Sequence, residues 1–263
     1  MTQKRSAGCA LAQRRNMSQA TALGARMRSD SVKNMSAYAD QNHAPSFTDV
    51  RLELSGRWVM KSERKEAKNE EQWDKLLHIH TTGRDDSKAD QFRYPYEPTP
   101  YSVLQRLANE GLIRKGDTLI DYGCGKGRVD FFLSYQMKCH TIGVEYDERL
   151  YEKAMENRAG AVSAGRVSFE LVDAVQFPVP EQVDCAYFFN PFSLEILQKV
   201  IARLLESYYA CPRKIRLFFY YPSDEYISYL MSVDELMFVD EIPCMDLFEG
   251  NNPRERIVIF EVE

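Results

Sequence analysis

No two of the six cysteines stand in a C-x-x-C pair, which removes the simplest zinc and redox readings. Cys9, Cys124, Cys139, Cys185, Cys211 and Cys244 are scattered. Neither a zinc cluster nor a disulfide framework is expected, and the usage suits a reducing, cytoplasmic compartment. His78 and His80 are two residues apart with no third ligand in view, so they read as surface-loop residues and no metal is expected. No apolar run approaches the roughly 20 residues that cross a bilayer. Nor does an apolar stretch follow the N-terminal positive charges, so neither a secretory signal nor membrane contact is expected. Positive charge is also missing from most of the chain. Residues 1–48 hold seven Lys/Arg against two Asp, a net of +5, while the whole chain is −5, so residues 49–263 carry −10. An acidic body favours a protein or small-molecule partner over duplex nucleic acid.

What is present is ordinary for a soluble globular protein: 44% hydrophobic and 28% charged residues over 263 positions, enough for one large domain with extensions. Residues 1–48 have no hydrophobic periodicity and read as a disordered basic tail. A targeting peptide has similar composition, and Met17, Met27 and Met35 are alternative starts, so both readings stay open. Residues 49–115 read as a helical and extended cap. KSERKEAKNEEQWDKLL mixes both charges at helical spacing, FRYPYEPTPY is extended by its prolines, and SVLQRLANEGLI is a short helix. From residue 116 to 263 strands and helices alternate, which implies α/β architecture: a doubly wound, mostly parallel sheet covered on both faces. The closing pair MFVDEIP and RERIVIFEVE, with no helix between them, reads as an antiparallel hairpin added at the edge.

Two standard phosphate readings fail at the turn TLIDYGCGKGRV. Gly123, Gly125 and Gly127 give G-x-G-x-G, and the third position of a dinucleotide fingerprint is occupied by Arg128. Lys126 is followed by Gly127 rather than the Ser or Thr of a Walker loop. Lys126 and Arg128 themselves read as solvent-facing residues of a helix start, and Cys124 as a small residue that fits the turn. Asp121, just before the turn, repels a pyrophosphate but accepts an ammonium group. Glu145 ends the next strand 22 positions after Gly123, where an acid accepts from ribose hydroxyls. Tyr146 can lie against a nucleobase, and Asp173 with the Ala174 N–H sits where an adenine edge would be read. Amino acid, ribose and adenine together point to S-adenosyl-L-methionine.

Across roughly residues 90–263, at LIDYGCGKGR, GVEYD, LVDA and FFNPF, the sequence resembles the class I, seven-stranded S-adenosylmethionine-dependent methyltransferases. The combination PTPY, YGCGKGR and NPF looks like a bacterial branch of that family. The resemblance implies a seven-stranded Rossmann-like fold, the cofactor S-adenosyl-L-methionine, and methyl transfer to an unidentified acceptor. Phe189-Asn190-Pro191-Phe192 looks like a shortened form of the N-P-P-F/Y signature for methyl transfer to planar nitrogens. By that likeness Asn190 and the Pro191 carbonyl accept from the target N–H, and the Phe192 ring stacks on the acceptor. The resemblance thus implies N-methylation of a protein, a small molecule or RNA. A non-catalytic module that keeps the nucleoside pocket for docking or sensing stays open beside it.

Overall fold

The computed structural model describes residues 69–87 and 90–262. Five strands form the parallel part of the sheet: β1 (Thr118–Tyr122), β2 (His140–Glu145), β3 (Val167–Leu171), β4 (Cys185–Phe188) and β5 (Ile215–Tyr220). Two more, β6 (Leu236–Pro243) and β7 (Arg256–Val262), complete seven strands in the order β3-β2-β1-β4-β5-β7-β6. After β3 the chain crosses to the far side of β1 to form β4. The carboxyl ends of β1 and β4 therefore flank a topological switch point, the place where open α/β sheets leave a crevice for ligands.

The closing hairpin joins the sheet at its edge as expected. Within it β7 takes the inner place, inserting between β5 and β6 and running antiparallel to both. The reason lies in the two sequences. Arg256–Val262 is buried along almost its whole length, whereas Leu236–Pro243 is mostly exposed and carries Asp240 and Glu241. The apolar strand takes the inner position and the acid-bearing one blunts the edge.

Period-two alternation divides the strands between two apolar layers. Leu119, Tyr187 and Phe218 face one cluster, while Ile120, Phe188 and Phe219 face the other. Tyr122, Phe188 and Phe219 are register partners on β1, β4 and β5, and their rings stack at 5.0 and 4.6 Å between centroids. This stack ties the two halves of the sheet together under the crevice.

The helices follow the expected positions: α1 (residues 69–77), α2 (Tyr101–Asn109), α3 (Arg128–Met137), α4 (Glu148–Gly160), α5 (Leu194–Ala210) and α6 (Asp224–Leu230). Residues 61–68 of the charged run, and the basic tail, lie outside the described residues. Ser193 stands at the α5 N-cap, but its side chain makes no capping bond. Asp147 caps α4 by accepting from the Arg149 N–H.

α3 departs most from expectation. Its first seven residues are all buried, Arg128 included, because α1 and α2 cover the side that a two-layer reading leaves to solvent. Trp73 of α1 packs edge-on against Phe132 at 4.9 Å and against the Tyr101 ring of α2 at 5.8 Å. Arg128 is therefore no solvent-facing residue. Its guanidinium lies over the Tyr101 ring, donates to Thr81 Oγ1 at 2.7 Å and to the Thr99 carbonyl at 3.2 Å, and pairs with Glu70. Lys126 stays half-exposed, its ammonium donating to the Thr82 carbonyl at 2.9 Å at the surface.

Among the described residues no helix is long and apolar enough to cross a membrane, and no group of His, Cys, Asp and Glu is arranged to hold a metal. The five described cysteines are free thiols.

Candidate cofactor and acceptor site

The crevice at the switch point is a cavity of about 100 Å3 that opens to solvent. Asp121, Gly123, Glu145, Tyr146, Asp173, Ala174, Pro191 and Phe192 all line it, so one cleft gathers residues from four strand ends. Gly125 and Gly127 sit in the wall of the same turn, and Asn190 is not among the lining residues.

The turn is built by close approach. Gly123 has φ 76°, and a Cβ there would meet Pro191 Cβ at 2.7 Å. Gly125, at φ 54°, carries the Tyr96 ring directly against its backbone. A side chain at either position would collide with Pro191 or with the Tyr96 ring, so glycine is what lets these groups close on the turn. Glu145 then locks the turn. Its Oε2 accepts from the Gly125 N–H at 2.9 Å, and its Oε1 accepts from the N–H groups of Tyr146 and Asp147, each at 2.9 Å. Burial pushes this carboxyl up, and the three N–H donors oppose the shift.

Asp121 lies beneath the turn, buried, with Oδ2 making no ordinary hydrogen bond among the described residues. Its neighbour is Asp130 of α3, fully buried, whose two carboxyl oxygens likewise have no donor among the described residues. Such a pair needs a shared proton. Burial raises both carboxyls, and Asp130 is held well above the ordinary range. Asp130 was invisible as a site residue in the sequence, where it reads only as an acid in the first turn of a helix. Cys124 behaves as the small residue expected: it is buried, and burial pushes its thiol well above the ordinary value.

A strap formed by residues 90–96 crosses the cleft. Asp90 Oδ1 accepts from the N–H groups of Phe92 and Arg93 at 2.7 and 2.8 Å. The Tyr94 N–H donates to the Pro191 carbonyl at 3.2 Å, and the Ser193 N–H to the Phe92 carbonyl at 2.7 Å. The Arg93 guanidinium reaches 80 residues along the chain, from the strap to Asp173, donating from Nη2 to Oδ2 at 2.6 Å, and lies over the Tyr146 ring at 4.4 Å. Tyr96 lines the cleft, and its hydroxyl donates to the Thr81 carbonyl at 2.6 Å. Thr99 also lines the cleft, bonded to the Tyr187 hydroxyl at 3.2 Å.

At FFNPF, Asn190 adopts φ 41°, in the left-handed region, and its buried Oδ1 has no partner among the described residues. Phe192 is buried edge-on against Phe188, and its carbonyl accepts from the Tyr226 hydroxyl. Phe189 is the more open ring, beside Tyr220 at 4.7 Å. Tyr220 and Tyr221 lie behind Phe189 and outside the cleft lining; the tyrosine that reaches the cleft from the strands is Tyr187.

A seven-stranded sheet with this order, a glycine turn after β1 and an acid ending β2 is a Rossmann-like methyltransferase fold. Residues 113–214 match the family model for a methyltransferase domain. The chain is 32% identical over 79 residues to a 27-O-demethylrifamycin SV methyltransferase of Amycolatopsis mediterranei (strain S699), covering 30% of this chain and 29% of that protein. It is 29% identical over 75 residues to a protein-lysine N-methyltransferase of Saccharolobus islandicus (strain REY15A), covering 28% of this chain and 47% of that protein. The chain thus spans less than half the length of these curated relatives. Among solved structures, the human methyltransferase 10 domain containing protein superposes with a TM-score of 0.53 at 14% identity, over 77% of this chain and 97% of that one. At that identity the likeness is one of fold.

Proposed function

We propose that this protein is a methyltransferase that uses S-adenosyl-L-methionine. The observation that carries the reading is the cleft itself: the Asp121 carboxyl with an oxygen that lacks a donor among the described residues, the glycine turn above it, and Glu145, all at one switch point. The residues fit the cofactor. Asp121 suits the ammonium of its amino-acid end. Glu145 spends one lone pair of Oε2 on Gly125 and keeps another for a ribose hydroxyl. Tyr146, Asp173 and the Ala174 N–H flank the place for adenine.

When bound, the cofactor supplies an electrophilic methyl group on a sulfonium. The chain's contribution is positional. The glycine turn and Glu145 fix the cofactor, the strap keeps water from the mouth, and the end of β4 presents the acceptor in line. We assign that last task to Asn190, Pro191 and Phe192, with nitrogen as the accepting atom. Asn190 holds a buried, unsatisfied carbonyl oxygen on a strained backbone, a combination that suits an N–H donor arriving with the acceptor. The Pro191 carbonyl already serves Tyr94, so its second lone pair is the one available to the acceptor. The relatives named above act on a small molecule and on protein lysine, and the acidic body of this chain favours those acceptor classes over duplex nucleic acid. Free cysteines support a reducing, cytoplasmic setting.

The test is calorimetric titration with S-adenosylmethionine and S-adenosylhomocysteine, with NAD as the control. Micromolar binding of both sulfur compounds and none of NAD is expected. Binding of NAD alone would replace the methyltransferase reading with a dehydrogenase one.

A further inference from the structure

We infer that Arg93 is an internal competitor for the nucleobase: its guanidinium holds the place on Tyr146 and Asp173 that adenine must take, and so selects which ligands enter. The inference rests on the cofactor reading above and adds to it a residue that stands in the way.

The geometry leaves little choice. A guanidinium centred 4.4 Å over the Tyr146 ring occupies the layer in which a stacked base would lie, with no space for a second plane between them. The same group donates to Asp173 Oδ2 at 2.6 Å. Oδ1 of that carboxylate already accepts from the Val175 N–H, so Oδ2, the oxygen that Arg93 holds, is the less engaged one toward an incoming amino group. Guanidinium and adenine share the two features that matter here, a flat face and N–H donors in its plane. Both partners of the base are thus satisfied in advance by one side chain.

The backbone around Arg93 is fixed and its head is not. Asp90, Phe92 and Tyr94 anchor the strap to itself and to residues 191–193, whereas the Arg93 side chain stays 26% exposed. Displacement is therefore a swing of one side chain into solvent, with the strap in place. A ligand must offer both a stackable plane and an N–H donor to replace what it removes. An adenosine does. A thioether amino acid alone does not.

The experiment is calorimetric titration of S-adenosylhomocysteine and of 5′-methylthioadenosine into the wild-type protein, Arg93→Ala and Arg93→Met. The methionine variant keeps the aliphatic stem and covers the case in which alanine loosens the strap. Removing a half-screened ion pair and a cation–π contact from the unliganded state should tighten both ligands by about tenfold in both variants. Equal gains for the two ligands are required, because the adenosine moiety is what they share. Unchanged or weaker binding in the variants, with the wild type still binding, would overturn the competitor while leaving the cofactor reading intact. A gain confined to S-adenosylhomocysteine would also overturn it, because the effect would then lie at the amino-acid end. Failure of every protein to bind either ligand would remove the cofactor reading and this inference together.

Discussion

Glu145 gathers three backbone N–H groups and thereby shapes the glycine turn. In the proposed cofactor site it also accepts from a ribose hydroxyl, and substitution separates the two. Glu145→Ala should weaken S-adenosylhomocysteine binding by about 1.5–3 kcal/mol, the value of hydrogen bonds to a charged group. It also orphans the turn's buried donors, so urea unfolding should shift in the same variant. Glu145→Gln retains one acceptor oxygen and should recover part of the stability but less of the affinity. An unaltered dissociation constant in both variants would confine Glu145 to the turn and move the ribose elsewhere.

The elements that surround the cleft are held by a residue whose importance lies in its distant partners. Arg128 starts α3, yet it joins α3 to α1 through Glu70, to the chain after α1 through Thr81, and to the N-terminal end of α2 through Thr99 and the Tyr101 ring. Burial raises the Glu70 carboxyl, and the Arg128 charge is the chief force opposing that shift. Arg128→Met keeps most of the volume and removes the charge. A loss of about 3–5 kcal/mol is expected, because breaking a buried pair strands the remaining acid. Amide exchange should quicken first at residues 69–82 and 99–109. A loss under about 1 kcal/mol would mean that the Trp73, Tyr101 and Phe132 rings hold the cap without the ion network. The same contrast explains what could be read from the chain in advance. The strands, the glycine turn and the acids at strand ends obey local rules of period, turn chemistry and topology, so their positions follow from short windows. Arg93 and Arg128 find their partners 80 and 47 residues away, across a segment without periodicity, and no window contains both ends of those contacts. The inward position of β7 was hidden for a related reason: hairpin adjacency is local, but which strand faces β5 depends on the apolar demand of a neighbour more than 35 residues earlier.

The fold as a whole carries a cost at its centre. Asp121 sits on the inner strand β1, Asp130 on the buried helix α3, and Glu145 on the adjacent strand β2, so three acids converge beneath the cleft. Burial raises all three, and repulsion from Glu145 adds to the effect on Asp121. A carboxyl held above its ordinary value prefers its proton in the folded state. The folded protein then binds more protons than the unfolded chain above the ordinary carboxylate value of about 4, and stability falls as pH rises. Glu70 has the same sign. Asp246 and Glu261, held low by Arg106 and by the Lys214–Arg216 pair, have the opposite sign, but they act below the ordinary range. The unfolding free energy should therefore decline between about pH 5 and pH 8, with a slope of at most about 1.4 kcal/mol per pH unit for each extra proton bound. Asp130→Asn keeps a donor toward Asp121 and takes away the shared proton, so urea unfolding of that variant should show a flatter decline. A slope identical to that of the wild type would place the proton elsewhere and leave Asp121 an ordinary ionised acid. If the slope flattens, the acid cluster is a standing destabilisation retained under the one part of the sheet where a cationic ligand can relieve it.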